Sequence, residues 1–253
     1  NIFSQINFFL LYKIFNKKYK IIDFEVVIIG AGVIGLSIAK TLSKKKIKTI
    51  VIEKNSSFGE ETSSRNSGVI HAGIYYPKSS KKSEFCKQGN KLLYEYIKER
   101  KIDFLNCGKL IVACNELENN LLLNLKKKAK DIGTNLIYLN KKETAKIEPQ
   151  LNVYSSLLSS TTGILDIHNF MLNLETDIIN NQGLIIYNSE VIKIKPDEDR
   201  IEFFLKNDNK TYKTRVLINS SGLNSHKLAK KIKSLNPKTI PKINYIKGDY
   251  FKL

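Results

Sequence analysis

Arginine is scarce in this chain. Of its 42 basic residues only Arg65, Arg100, Arg200 and Arg215 are arginine, although the formal net charge is +18. Arginine supplies the planar fork that grips phosphate and guanine, and the lysines are scattered rather than gathered into a stripe. The charge therefore reads as a solvated cationic surface, and no nucleic-acid partner is expected. Cysteine is also rare: Cys86, Cys107 and Cys114 form neither a CxxC pair nor an even set. That argues against a disulfide framework and against a bound metal, and leaves buried or inert thiols as the expectation. No run approaches the roughly 18 apolar residues that a membrane-spanning helix needs. Internal repeats and low-complexity linkers are absent.

With 253 residues, 42% hydrophobic and 26% charged, the chain can bury a core of globular size, which excludes a disordered tail. Its ends are unusual. Residues 1–22 contain no acid, and Phe8, Tyr12, Phe15 and Tyr19 recur at helical spacing beside Lys13, Lys17, Lys18 and Lys20. Three readings stand: a segment lying on an anionic membrane, which would make the protein peripheral; a presequence; or a frayed leader. At the other end Gly248 to Leu253 reads as the middle of a strand, so the chain is expected to be a fragment, with a sheet left incomplete.

The strongest local pattern starts at Phe24. Glu25 to Ile29 is a short continuous apolar run, as in a parallel strand buried on both faces. Gly30-Ala31-Gly32-Val33-Ile34-Gly35 follows, then a helix from Leu36 to Lys44 and a second strand from Lys48 to Ile52 that ends in Glu53. A GxGxxG alone is weak, but between a strand and a helix it has a mechanism. Gly30 permits the tight turn, Gly32 lets backbone approach a pyrophosphate, and Gly35 lets helix and strand pack closely. The helix N-terminus offers N–H groups and partial positive charge to phosphate, and Glu53 can accept from a ribose diol. These residues imply a nucleotide, NAD or FAD.

Downstream, Asn55 to Gly68 is too rich in Ser and Gly for a regular element. Helices are expected over Lys82 to Arg100, Leu117 to Ile132 and Ile167 to Asn181, the last capped by Asp166. Strands are expected over Leu110 to Ala113 and Leu136 to Leu139. Leu184 to Lys195, Ile201 to Leu205 and Tyr212 to Asn219 read as three β runs of a meander.

The stretch Ser63-Ser64-Arg65-Asn66-Ser67-Gly68-Val69-Ile70-His71-Ala72-Gly73-Ile74-Tyr75-Tyr76 decides between the nucleotides. With Phe85-Cys86 and Gly89, Thr162 to His168, Asn219-Ser220-Ser221-Gly222-Leu223 and Lys247-Gly248-Asp249-Tyr250-Phe251, it resembles the D-amino-acid-oxidase-like superfamily of FAD enzymes. Within that superfamily it is most similar to the L-2-hydroxyglutarate dehydrogenase (oxidase) family. The resemblance runs from Phe24 to the C-terminus, with serines where the family usually has alanine near Ser220 and Ser221, and Lys247 where it has arginine.

The resemblance implies an α/β fold: a Rossmann-like FAD-binding lobe with an interleaved α+β substrate lobe, truncated at the C-terminus. Its expected parts are a leader over 1–23, FAD-binding segments over 24–73 and 185–228, a helical substrate-lobe segment over 74–184, and an incomplete return over 229–253. Ser63, Ser64 and Arg65 suit pyrophosphate contact, against the plainer reading of an exposed loop. Ser67 and Gly68 allow backbone to approach a flat ring, and by resemblance run near the isoalloxazine. Val191 matches the position whose main chain meets the adenine, and its alternative is plain core. Gly222 joins the cofactor set by its motif.

For chemistry, His71 is the expected base, since oxidising an alcohol needs an acceptor for the hydroxyl proton and imidazole titrates near working pH. A hydrogen-bonded structural histidine is the competing reading. His168 is a weaker second, opposed by a helix-opening role beside Asp166, and His226, among lysines, is expected to be solvated. Lys247 and Tyr250 are the expected substrate contacts by motif position. The implied reaction is FAD-dependent oxidation of L-2-hydroxyglutarate, a 2-hydroxy acid, to 2-oxoglutarate, with electrons passing to a quinone or other acceptor. The expected location is cytoplasmic or peripheral on the inner membrane, mitochondrial in a eukaryote. Alternatives are another oxidoreductase of the superfamily, acting on amines, amino acids or glycerol 3-phosphate, and a flavin-binding module without turnover.

Overall fold

The computed structural model of the chain describes residues 24–249. In chain order the elements are β1 (Phe24–Ile29), α1 (Val33–Lys44), β2 (Thr49–Ile52), a 3₁₀ turn at Thr62–Ser64, β3 (Val69–Ile70), α2 (Lys81–Glu99), β4 (Phe104–Leu105), β5 (Lys109–Ala113) and α3 (Glu116–Asp131). Then come β6 (Ile137–Asn140), α4 (Lys141–Ile147), β7 (Ser155–Ser159), β8 (Gly163–Leu165), α5 (Ile167–Asn180), β9 (Leu184–Ile186), β10 (Val191–Pro196), β11 (Ile201–Leu205), β12 (Thr211–Asn219) and α6 (Ser225–Lys230). The chain divides into two compact units, one of residues up to Arg65 with those from Met171 onward, the other Asn66–Phe170.

The first unit is built on a six-stranded sheet ordered β10-β11-β12-β1-β2-β9. β1 pairs in parallel with both β12 and β2, in register Val27↔Leu217 and Val27↔Ile50. Being central, it is apolar on both faces: Val26, Val27, Ile28 and Ile29 are all buried. β2 pairs in parallel with β9, and β10, β11 and β12 form an antiparallel meander. Val27, Ile29, Ile50 and Ile52 pack with Val191, Ile194, Phe203, Leu205 and Tyr212 in one core cluster. The Tyr212 ring stacks on Phe203 at 5.5 Å, and its hydroxyl donates to Asp208 Oδ2 at 2.6 Å, so the fully buried ring keeps its polar end satisfied.

The expected single run from Leu184 to Lys195 is two strands at opposite edges of this sheet. Asn188 adopts φ 54°, its N–H donates to Asn55 O, and Ser189 N–H donates to Glu53 O. These non-local bonds turn the chain out of β9, and β10 starts afresh beside β11. Of the strand expected over Gly248 to Leu253, 250–253 lie outside the described residues, as does the leader, and the described residues 240–249 belong to no helix or strand.

The second unit carries two three-stranded antiparallel sheets, β3-β8-β4 and β5-β7-β6. Its core gathers Ala72, Ile74, Ala113, Leu122, Ala129, Leu136 and Leu157. Sequence patterning passed over β7 and β8. In β7 three serines are fully buried because each has a partner: Ser155 Oγ donates to Asn119 Oδ1 at 2.7 Å, Ser156 shares a hydrogen bond with Thr144 at 2.8 Å, and Ser159 shares one with Thr162 at 2.9 Å. The helices follow their signals. Asp166 caps α5 as expected, accepting from Asn169 N at 3.0 Å, and Asn140 and Glu143 close a capping box on α4.

Two side-chain expectations need correction. Cys107 and Cys114 are exposed and Cys86 is half-buried, all three free thiols, because they sit at the ends of strands and on a helix flank rather than in a core. His226 is half-buried with Nδ1 covered and unpartnered, its ring lying edge-on to Tyr245 at 6.4 Å. Among the described residues no helix is long and apolar enough to cross a membrane, and no group of three or more His, Cys, Asp or Glu could hold a metal ion.

Candidate active site

The turn after β1 shows why its glycines stand where they do. Gly30 adopts φ 106°, and a Cβ there would lie 2.6 Å from Ser220 O, so both the backbone and the neighbouring strand exclude a side chain. At Gly35 a Cβ would fall 1.9 Å from Gly30 O, and only glycine lets α1 sit this close to the turn. Gly32 differs. It is the N-cap of α1 in extended backbone with no side-chain cap, and an added Cβ would meet only Ser63 Oγ, at 3.0 Å. Its missing side chain leaves space in front of the helix.

That space is a cavity of about 510 Å³ within the first unit, bordered by Gly30, Gly32, Glu53, Ser63, Val191 and Gly222 among others. The N-terminus of α1 opens on it with its partial positive charge. Val33 N–H donates to Ser63 Oγ at 3.0 Å, which ties the 3₁₀ turn of Thr62–Ser64 to the helix start. Glu53, 7% exposed, uses both carboxylate oxygens on backbone: Oε2 accepts from Ala31 N at 2.8 Å and Oε1 from Asn55 N at 2.9 Å. Each oxygen keeps a second lone-pair direction for a further donor such as a ribose hydroxyl. Beside it Lys54 and Glu61 form an ion pair at 2.5 Å, which raises the lysine above its ordinary range and lowers the carboxyl. A buried acid, an open helix N-terminus and a glycine whose Cβ would enter the space fit the ribose and diphosphate of a dinucleotide.

Six of the expected cofactor residues therefore border one cavity, and Gly35 packs directly beneath it. Ser64 and Arg65 do not border it. Ser64 Oγ donates to Glu61 O at 3.2 Å, and Arg65 Nη1 donates to Glu60 O at 2.5 Å and Glu61 O at 3.2 Å, so this cation holds the carbonyls of its own turn. Ser67 and Gly68 belong to the second unit, where Gly68 has φ 64° and a Cβ would strike Leu165 O at 2.6 Å. Lys247 pairs with Asp249 at 2.8 Å, both exposed and outside the cavity, and Tyr250 lies outside the described residues. His168 is exposed in the first turn of α5. Sequence reasoning missed Asn224, Lys227 and Lys231 on the cavity wall, although their near-regular helical spacing places them on one face.

His71 follows β3 in the second unit. Its ring is exposed, while its carbonyl is anchored to α2, accepting from Asn90 Nδ2 at 3.1 Å and Cys86 Sγ at 3.6 Å. Partial burial, then the Lys109 and Lys82 cations, hold the imidazole below its ordinary range. The ring therefore stays neutral, and able to accept a proton, to lower pH than a free histidine.

Comparison with known proteins bears on what the cavity holds. The family described as FAD dependent oxidoreductase matches residues 25–253. This chain belongs to that family. The fit of the cradle to a dinucleotide thus concerns FAD. Mitochondrial L-2-hydroxyglutarate dehydrogenase from Arabidopsis thaliana is 35% identical over 90% of the chain and 54% of its own length. L-2-hydroxyglutarate dehydrogenase from Escherichia coli K12 is 30% identical over 91% and 54%, and a glycerol 3-phosphate dehydrogenase from Caloramator mitchellensis is 30% identical over 91% and 47%. Among solved structures, L-alpha-glycerophosphate oxidase from Mycoplasma pneumoniae with FAD bound superposes with a TM-score of 0.78 at 29% identity, over 83% of this chain and 57% of that one. The chain spans about half the length of the curated relatives it matches.

Proposed function

We propose that this chain carries the FAD-binding part of an enzyme that oxidises L-2-hydroxyglutarate to 2-oxoglutarate. The observation that carries the cofactor half of the reading is the cavity in front of Gly32, where helix N-terminus and buried Glu53 meet. Gly32, Val33 and Ser63 would hold the diphosphate, Glu53 the ribose, and the main chain at Val191 with Gly222 the adenine side. Kinship with proteins named for this substrate, at 30–35% identity over about nine tenths of the chain, supports the substrate half.

In the reaction the substrate loses the C2 hydrogen with its electron pair and the hydroxyl proton, and a ketone forms. Bound FAD supplies the two-electron acceptor for that hydride. The proton goes to a ring nitrogen of His71, whose partial burial and then neighbouring lysines favour the neutral, accepting form. We assign the next electron acceptor to a quinone or related carrier, with a peripheral membrane location as the corollary.

The test is anaerobic mixing of the FAD-loaded protein with L-2-hydroxyglutarate, its D enantiomer, lactate, glycine and glycerol 3-phosphate, following loss of the flavin absorbance. L-2-hydroxyglutarate should bleach it far faster than the others, and an equal rate with lactate would sink the diacid assignment. The Caloramator relative and the Mycoplasma structure favour a second reading, glycerol 3-phosphate as substrate, which preferential bleaching by that compound would establish.

A further inference from the structure

Within the second unit three elements bring two cations and an imidazole to one place. Lys82 comes from the first turn of α2 and Lys109 from the start of β5, and both act electrostatically on His71 at the end of β3. Each lysine is steered by an aromatic ring rather than by an acid: Lys82 Nζ lies 4.4 Å from the Tyr76 ring centre and Lys109 Nζ 4.8 Å from that of Tyr75. Neither forms an ion pair among the described residues, whereas adjacent Lys81 is paired with Glu84 at 2.8 Å. The titratable groups acting on His71 are these two lysines, with no carboxylate among them. Lys82 also acts on the half-buried Cys86, whose thiol donates to the His71 carbonyl. Lys82, Tyr75 and His71 are exposed and Lys109 and Tyr76 half-buried, so the cluster is open to a solute.

Such a cluster is unfavourable at rest. Partial burial and then two cations depress the protonation of the imidazole, and among the described residues neither cation has an acid paired with it. Groups held in this way mark sites completed by a ligand. The ligand must carry at least one full negative charge and be small enough to sit among two lysines and an imidazole, which describes a carboxylate or a phosphate.

We infer that Lys82 and Lys109 are the substrate's anion-binding residues, receiving a terminal carboxylate or phosphate beside His71. The assignment to substrate rests on the function proposed above. It makes the lysines specificity-determining: they bind the non-reacting anionic end, and a monoanionic 2-hydroxy acid lacks the group that uses them.

The full-length, FAD-loaded protein tests this in two ways. The His71 resonance can be assigned as the one lost in His71→Asn and followed by NMR while glutarate, inorganic phosphate or propionate is added. Glutarate or phosphate should move the His71 titration to higher pH and propionate much less; the more effective of the two tells carboxylate from phosphate. In Lys109→Gln and Lys82→Gln the His71 titration should lie higher without ligand, and affinity for the effective anion should fall about tenfold or more, the scale of one charged hydrogen bond. KM for the anionic substrate should rise by a similar factor with kcat nearly unchanged, and Lys109→Arg should restore most of it. Should Lys109→Gln not fold, Lys82→Gln alone carries the same expectations. A His71 resonance that ignores both dianions, or an unchanged KM in both variants while L-2-hydroxyglutarate still bleaches the flavin, overturns the inference and leaves the proposed function intact. Dianion binding that depends on the lysines, with no bleaching by any hydroxy acid, upholds the anion site and removes the function.

Discussion

Gly32→Val should separate cofactor binding from folding. Gly32 has φ −76° and ψ 174°, backbone that any residue adopts, so valine brings no conformational strain. Its Cβ would meet one atom, Ser63 Oγ at 3.0 Å, the end of a short side chain that accepts from Val33 N–H, so displacing it costs at most that hydrogen bond, about 0.5–1.5 kcal/mol. The remaining cost is that of a poor N-cap, about 0.5–1 kcal/mol. The valine methyls, however, fill the space before the α1 N-terminus, where a diphosphate has to approach. Hydrogen bonds to a charged group contribute about 1.5–3 kcal/mol each, and losing two of them lowers FAD affinity by about 100-fold or more.

Gly35→Ala should do the opposite. Its Cβ would lie 1.9 Å from the backbone oxygen of Gly30, and backbone cannot turn away, so α1 has to shift at an overpacking cost of about 1–3 kcal/mol or more. Urea denaturation of FAD-free protein measures the folding side, and titration of FAD fluorescence the binding side. Wild-type FAD affinity in Gly32→Val would show that the diphosphate lies elsewhere. A Gly32→Val apoprotein as destabilised as Gly35→Ala would show that the cavity in front of the helix is an element of the fold.

His71→Asn should retain stoichiometric FAD yet slow reduction by L-2-hydroxyglutarate by about 10²-fold or more, the usual scale for a positioned base; an unchanged rate would make the histidine structural. Since burial, Lys109 and Lys82 all lower its pKa, the wild-type rate should rise with pH through a limb lying below the ordinary imidazole value of 6.5, and Lys109→Gln should move that limb upward. Glu53→Ala should destabilise the FAD-free protein by about 1–3 kcal/mol by leaving the Ala31 N–H buried without its acceptor, and an unchanged urea midpoint would refute this role.

How much of this was legible in the sequence follows from how local each feature is. The β1-α1-β2 unit, its three glycines and Glu53 lie within 30 residues, and a single pattern of apolar run, turn and helix contains all the geometry they need. Asp166 is likewise readable, because a cap acts three residues ahead. β7 was not, since a strand written Ser-Ser-Leu-Leu-Ser looks polar until Asn119 and Thr144, from two helical segments, and Thr162, from the turn that follows, are seen to satisfy its serines. The break between β9 and β10 was hidden for the same reason, as the bonds that impose it come from Glu53 and Asn55, more than 100 residues earlier. Arg65 shows the converse case: a cation beside a phosphate cradle in sequence turns its Nη1 to the carbonyls of Glu60 and Glu61, one turn back.

The same distinction explains why His71 was visible and its lysines were not. His71 sits inside a contiguous motif. Lys82 and Lys109 are two cations in a lysine-rich chain, and nothing in their immediate sequence sets them apart. What does is that neither forms an ion pair among the described residues and that each lies over a ring, of Tyr76 and Tyr75, which follow the Gly73 turn at φ 77°. A tyrosine face holds an ammonium without neutralising it, so these two lysines keep their full charge for a partner, whereas Lys54, Lys81 and Lys247 have already given theirs to Glu61, Glu84 and Asp249. On a protein of net charge +18 the count of cations therefore says little about anion binding. The informative cations are those that the fold gathers and leaves without a counter-charge, and a substrate carrying two negative charges has a reason to bind there that a lactate-sized acid does not.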